Sequence, residues 1–229
     1  MAIAFDASSD SGHVAASSIT LAHTCSGSDR VLIVHTAIAD TENVITVTGV
    51  TYGGVAMTKI GSDAVGTTNA RRTNMWILIA PATGANNIVA TFSGTPSAWG
   101  DVVGVSYTGA SQSSQPDATA QQVTAQTTSV SQAVTTIADN CILVGVGLAG
   151  SNAITVGANT YARVRSTNDE VVAFENSGPL TPETPPGSFS LAYTSAGAYD
   201  LPLIVASLAP VGAVVTAIPR PNLLLMGAG

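Results

Sequence analysis

Charge is what this chain has least of. Asp, Glu, Lys and Arg make up 9% of its 229 residues, where an average globular protein has about 25%. Lys59 is the only lysine, and Arg71-Arg72 is the only basic doublet. With 14 acidic against 7 basic residues the net charge is −7. Nucleic-acid binding requires clustered cations that displace counterions from phosphates, so direct contact with DNA or RNA is not expected. Two cysteines, Cys25 and Cys141, form no CxxC pair and no zinc spacing with histidine. They read first as small buried apolar residues. A disulfide is the alternative, because both precede equivalent hydrophobic strands. No run reaches the 18 or so apolar residues of a membrane helix, and Leu201 to Val215 is interrupted by Pro202 and Pro210. MAIAFDASSDSGHV lacks the basic and apolar regions of a secretory signal.

What is present is hydrophobic and hydroxyl-bearing. Apolar residues make up 45% of the chain, enough for a sizeable core, and disorder requires the opposite balance. Helical spacing is nearly absent and β-branched residues dominate. Short runs punctuated by Gly, Asn, Ser and Pro predict strands near Ile19–His23, Arg30–Ile38, Val44–Val50, Val55–Ile60, Asn74–Ile79, Asn87–Ser93 and Asp101–Tyr107. A second series falls near Val130–Ile137, Cys141–Leu148, Ile154–Val156, Ala162–Ser166, Glu170–Glu175, Ser188–Thr194 and Leu201–Leu208. The expected fold is all-β, a β-sandwich of jelly-roll or Ig-like type with about fourteen strands.

The two series match in order. Asp29 aligns with Asp139, Ile45–Val47 with Ile154–Val156, Thr51-Tyr52 with Thr160-Tyr161, and Asp101 with Asp200. This predicts an internal duplication, with an N-terminal arm over 1–12, one half over 13–110, a second over 111–209 and an extended arm over 210–229. VLIV and ILVGV are apolar throughout, as expected of strands covered on both faces. Gly53-Gly54 predicts a two-residue turn, and Gly145 and Gly147 predict close approach of another backbone.

Chemistry is sparse. His35 lies in an apolar strand and reads as a packed core residue; His23 could reach it, but no carboxylate at ligand spacing joins them. HExxH, GxSxG and P-loop patterns are missing, and no GxGxxG is followed by a helical pattern. The candidate acids are Asp40, Glu42, Asp169, Glu170, Glu175 and Glu183. DASSDSG (Asp6–Gly12) and DTEN (Asp40–Asn43) offer oxygens to calcium without an EF-hand pattern; they read as solvated loops. No catalytic, cofactor or metal residue is assigned. Partner contact is expected at Trp99, in a turn before a strand, and along the apolar tail at Pro219, Arg220, Pro221, Leu223, Leu224, Leu225 and Met226.

HTCSGSDRVLIV, VTYGGVAMTKIG, APATGANNIVATFSG and DVVGVSYTGASQSSQPDA together resemble a loosely defined group of β-sandwich proteins from tailed phages and environmental viruses. The resemblance spans residues 3 to 210 and brings no catalytic motif. It implies a virion component: a capsid decoration protein, a head fibre or a tail-associated adhesin, made in the host cytoplasm. The implied partners are other capsid or tail proteins, further copies of the chain in a homo-oligomer, and a surface glycan. Neither nucleic acid, a membrane span nor a cofactor is implied.

Overall fold

The computed structural model describes residues 1–67, 71–150, 154–167, 170–176 and 181–213. Among them there is no α-helix, and fifteen strands form three antiparallel sheets. The first sheet is built from β1 (Ala4–Asp10), β9 (Trp99–Thr108), β3 (Val31–Ala39), β7 (Arg71–Ile79) and β6 (Thr58–Gly66), hydrogen-bonded in that order. The second comprises β2 (Ser18–Cys25), β8 (Gly84–Phe92), β4 (Val47–Tyr52) and β5 (Val55–Ala56). The third takes the order β10 (Ala118–Thr135), β15 (Ser188–Leu208), β11 (Ile142–Leu148), β14 (Val171–Asn176), β13 (Thr160–Arg165), with β12 (Ile154–Val156) also on β15.

The continuous apolar strands lie at the centre for the reason their sequence gives. In β3, Val31, Ile33 and Ala37 join Val103, Val105 and Tyr107 of β9 and Met75 and Ile77 of β7 in one cluster. The same cluster takes Val144, Val146 and Leu148 of β11 and Ile204, Ala206 and Leu208 of β15. Leu32, Val34 and Ile38 project from the other face of β3 into a cluster with Ile19, Val50 and Ile88 of the second sheet. Alternation therefore feeds one strand into two cores. A third cluster unites Leu143, Val172 and Val205 with Val130, Val134, Leu191 and Tyr193.

The strand order of the first sheet recurs in the third: edge strand, late strand, apolar centre, then two further strands. Likewise β2-β8-β4 recurs as the second half of β10, the first half of β15, and β12. Side-chain fasteners recur too. Asp6 accepts from Ser26 N at 2.9 Å and from Ser106 Oγ at 2.8 Å. Asp117 accepts from Ile137 N at 2.8 Å, Ala138 N at 3.0 Å and Ser207 Oγ at 3.0 Å. Asp29 and Asn140 both take a positive φ, 51° and 58°. In position relative to the apolar strand that follows, Asp29 thus corresponds to Asn140 rather than to Asp139.

Several expectations are corrected. Within the N-terminal arm expected over residues 1–12, Ala4–Asp10 is a strand paired with β9. Val55–Ile60 is split between two sheets at Met57. Ser188–Thr194 and Leu201–Leu208 are one strand of 21 residues, because the small residues between them stay extended. The 210–229 arm begins with bound residues: Pro210 bridges Ala110, and Val211 N donates to Gly109 O at 2.8 Å. The Gly53-Gly54 turn is present, with φ of 55° and 81°.

Candidate functional site

Chemistry-bearing side chains gather where β9 begins. Trp99 is half-buried and packs against the central cluster. The His13 ring stacks on it at 3.8 Å and 8°, and the Arg71 guanidinium sits 5.3 Å from its centroid. Two residues on, Asp101 is fully buried. It accepts from Ser11 Oγ at 3.4 Å and from Ser166 Oγ, and His13 Nε2 lies 3.7 Å away. Ser166 follows β13, so this contact ties the first sheet to the third. Burial pushes the Asp101 carboxyl up to about 7, with the Asp10 charge adding to the rise. Burial lowers His13, and Arg71 lowers it further against the pull of Asp10. Both shifts favour neutral forms. Asp101 therefore has the acidity of a proton donor, but no exposed surface at which a substrate could meet it.

A second polar tie crosses the same two sheets. Glu175, fully buried in β14, accepts from Tyr107 Oη at 2.7 Å and from Arg163 Nε and Nη2 at 2.8 and 2.6 Å. The Arg163 guanidinium lies 4.2 Å from the Phe5 ring centroid and 5.0 Å from that of Tyr161. Phe5 and Tyr161 remain 36% and 40% exposed, so this stack rather than Trp99 presents aromatic surface.

The acids read as solvated loops are largely fasteners. Asp6 lies in strand β1. Burial opposes its charge, but hydrogen bonds from Ser26 and Ser106 outweigh that and hold the carboxyl below its usual range. Asp40 is buried and accepts from Val44 N at 3.1 Å and Ser97 N at 3.1 Å. Glu170 is buried near Arg71, and burial raises it. Glu183 bonds Asn176 at 3.2 Å. Glu42 is exposed, and Asp169 lies outside the described residues. Spacing could not reveal Asp6, Asp117 or Glu175 as fasteners, because their partners are distant in sequence. The recurring Asp–Ser pairs were the available signal.

His23 and His35 do not meet. His23 Nδ1 is 2.9 Å from Ser9 Oγ, while His35 shares the face of β3 that carries Val31 and Ile33. Burial alone lowers His35 to about 3. Both cysteines are free and buried; burial and Asp117 raise Cys141 to about 12. Among the described residues no group of three or more His, Cys, Asp or Glu is placed to hold a metal ion. A cleft of about 620 Å³, lined by residues such as Ile60, Ile79, Pro116 and Thr119, is remote from the Asp101 cluster. Pro219, Arg220, Pro221, Leu223, Leu224, Leu225 and Met226 lie outside the described residues. Comparison with protein-family models, curated proteins and solved structures returns no match.

Proposed function

We propose that this chain is a structural, non-enzymatic subunit of a virus particle, a capsid decoration or fibre protein, built as a duplicated β-sandwich. One observation carries the reading. The buried acids Asp40, Asp101 and Glu175 and the half-buried Asp6 and Asp117 are all engaged in hydrogen bonds that tie strands and sheets together. Low charge, hydroxyl-rich outer strands and the resemblance to phage and environmental viral proteins support it. The recurring strand order supports duplication, and the paired cores support the sandwich. Electron microscopy of the purified chain tests assembly directly: regular multimers are expected, and deletion of residues 211–229 should weaken them without unfolding the sheets. Dispersed molecules at every concentration would contradict the reading.

A second reading, adhesion to a surface glycan, is favoured by the exposed Phe5 and Tyr161 rings, since sugars stack on aromatic faces. Glycan-array binding lost in Tyr161→Ala would support it. Loss in Trp99→Ala alone would move the contact to the β9 turn. An array without signal would remove the glycan reading.

A further inference from the structure

The edge of β10 carries an inference about self-association. Within its sheet β10 pairs with β15 alone. An edge strand exposes a row of backbone donors and acceptors, and proteins blunt such rows with charge, proline or bulges. Apart from the three-residue β12, the other edges of the two large sheets are charged. β1 carries Asp6 and Asp10, β6 carries Lys59 and Asp63, and β13 carries Arg163 and Arg165. β10 has neither a charged residue nor a proline in 18 residues. Its register with β15 breaks only between Thr124 and Ser129, leaving two regular runs.

The first run, Ala118–Thr124, is partly covered: Gln121 Oε1 accepts from Ser62 N of β6 at 2.9 Å. The second, Ser129–Thr135, has β15 as its only strand partner among the described residues. Here the Ser131 carbonyl accepts from the Gln122 amide, and the Ala133 carbonyl from the Gln132 amide. Side-chain caps on alternate carbonyls mark Ser131 and Ala133 as the positions whose backbone points away from β15. Ser129, Ser131, Ala133 and Thr135 are exposed, and Ile137 just beyond is 44% exposed.

We infer that Ser129–Thr135 pairs antiparallel with the same run of a second copy across a two-fold axis. An isologous contact brings a strand antiparallel against itself, so a strand whose charges share one sign meets like charges, and like charges opposite one another destabilise a pair. β1 carries only acids and β13 only bases, so both meet that repulsion; β6 carries both signs, but β10 already lies against it through Gln121 and Ser62; β10 has no charge to repel. β2 is nearly uncharged too, but it is shorter and lies beside the acidic β1. Backbone N–H groups of the partner would replace the glutamine caps, so the carbonyls stay satisfied. This deepens the assembly reading, on which it rests, by naming a surface for it.

Light-scattering mass measurement tests it. The wild type is expected at twice 22.9 kDa, while Ser131→Lys and Ala133→Lys, both at exposed positions, should give 22.9 kDa with unchanged far-UV circular dichroism. Thr119→Lys, in the covered run, should keep the dimer. Hydrogen exchange on the wild type needs no variant: the Ser131 and Ala133 amides should be protected at high concentration and lose protection on dilution. A dimer that survives Ala133→Lys, or exchange independent of concentration, refutes the strand pairing while leaving the assembly reading intact. A monomer at all concentrations refutes both.

Discussion

His35 and Asp101 are each held uncharged by burial, and their pH dependences oppose one another. His35 has a folded value of about 3 against an ordinary 6.5, so the unfolded chain takes up the proton first. Its contribution is complete above pH 6.5 and is lost as pH falls towards 3, at about 1.4 kcal/mol per unit. Asp101 has a folded value of about 7 against an ordinary 3.8, so the folded chain keeps its proton longer. Its contribution is complete below pH 3.8 and is lost as pH rises through 7. Between pH 4 and 6.5 the two slopes cancel. Urea unfolding should therefore find stability nearly flat in this window with respect to these two groups. His35→Val should leave stability falling as pH rises, and Asp101→Asn should leave it rising, each by about 1.4 kcal/mol per unit. Identical slopes in wild type and both variants would show that neither group is held neutral. At Gly147, an added Cβ would lie 2.5 Å from ring atoms of both Phe174 and Tyr193. Gly147→Ala should cost about 1–3 kcal/mol by overpacking, read from the shift in denaturant midpoint.

At the scale of elements, much of the fold is legible because apolar alternation is local. β3, β7, β9, β11 and β14 follow from their own residues, and the Gly53-Gly54 turn from its two glycines. What escaped is set by partners far along the chain. β1 contains Asp6 and Asp10 and reads as polar, yet β9 supplies its ladder and Ser26 and Ser106 satisfy Asp6. The first half of β10, rich in Gln, Thr and Ser, shows no strand pattern of its own and takes its strand from β15 opposite it, whereas its second half falls in the expected strand Val130–Ile137. The cluster at Asp101 is assembled from β1, β7, β9 and the β13 end, and no spacing within any of them announces it. The Glu175–Arg163 tie gives an element-scale prediction. Arg163→Ala leaves a buried carboxylate without its cation and should cost about 3–5 kcal/mol. Adding Glu175→Leu should recover part of that loss in thermal unfolding, since the uncompensated charge is then gone. No recovery in the double variant would mean that Glu175 is stabilised mainly through Tyr107.

Among the described residues, the two large sheets, of five and six strands, bury one shared core between their apolar central strands, and a further core lies outside each of them. Two polar ties, Asp101–Ser166 and Tyr107–Glu175, fix the sheets against each other at named points. With Asp40, Asp101 and Glu175 engaged in the interior, the outer strands and sheet edges are left facing outward, as the proposed assembling subunit requires. Electron microscopy of the purified chain over a rising concentration series is the most direct test of that role. Regular, closed multimers that weaken on removal of residues 211–229 are the expected result. Uniformly dispersed single molecules at every concentration, in the full chain and the truncated one alike, would contradict it.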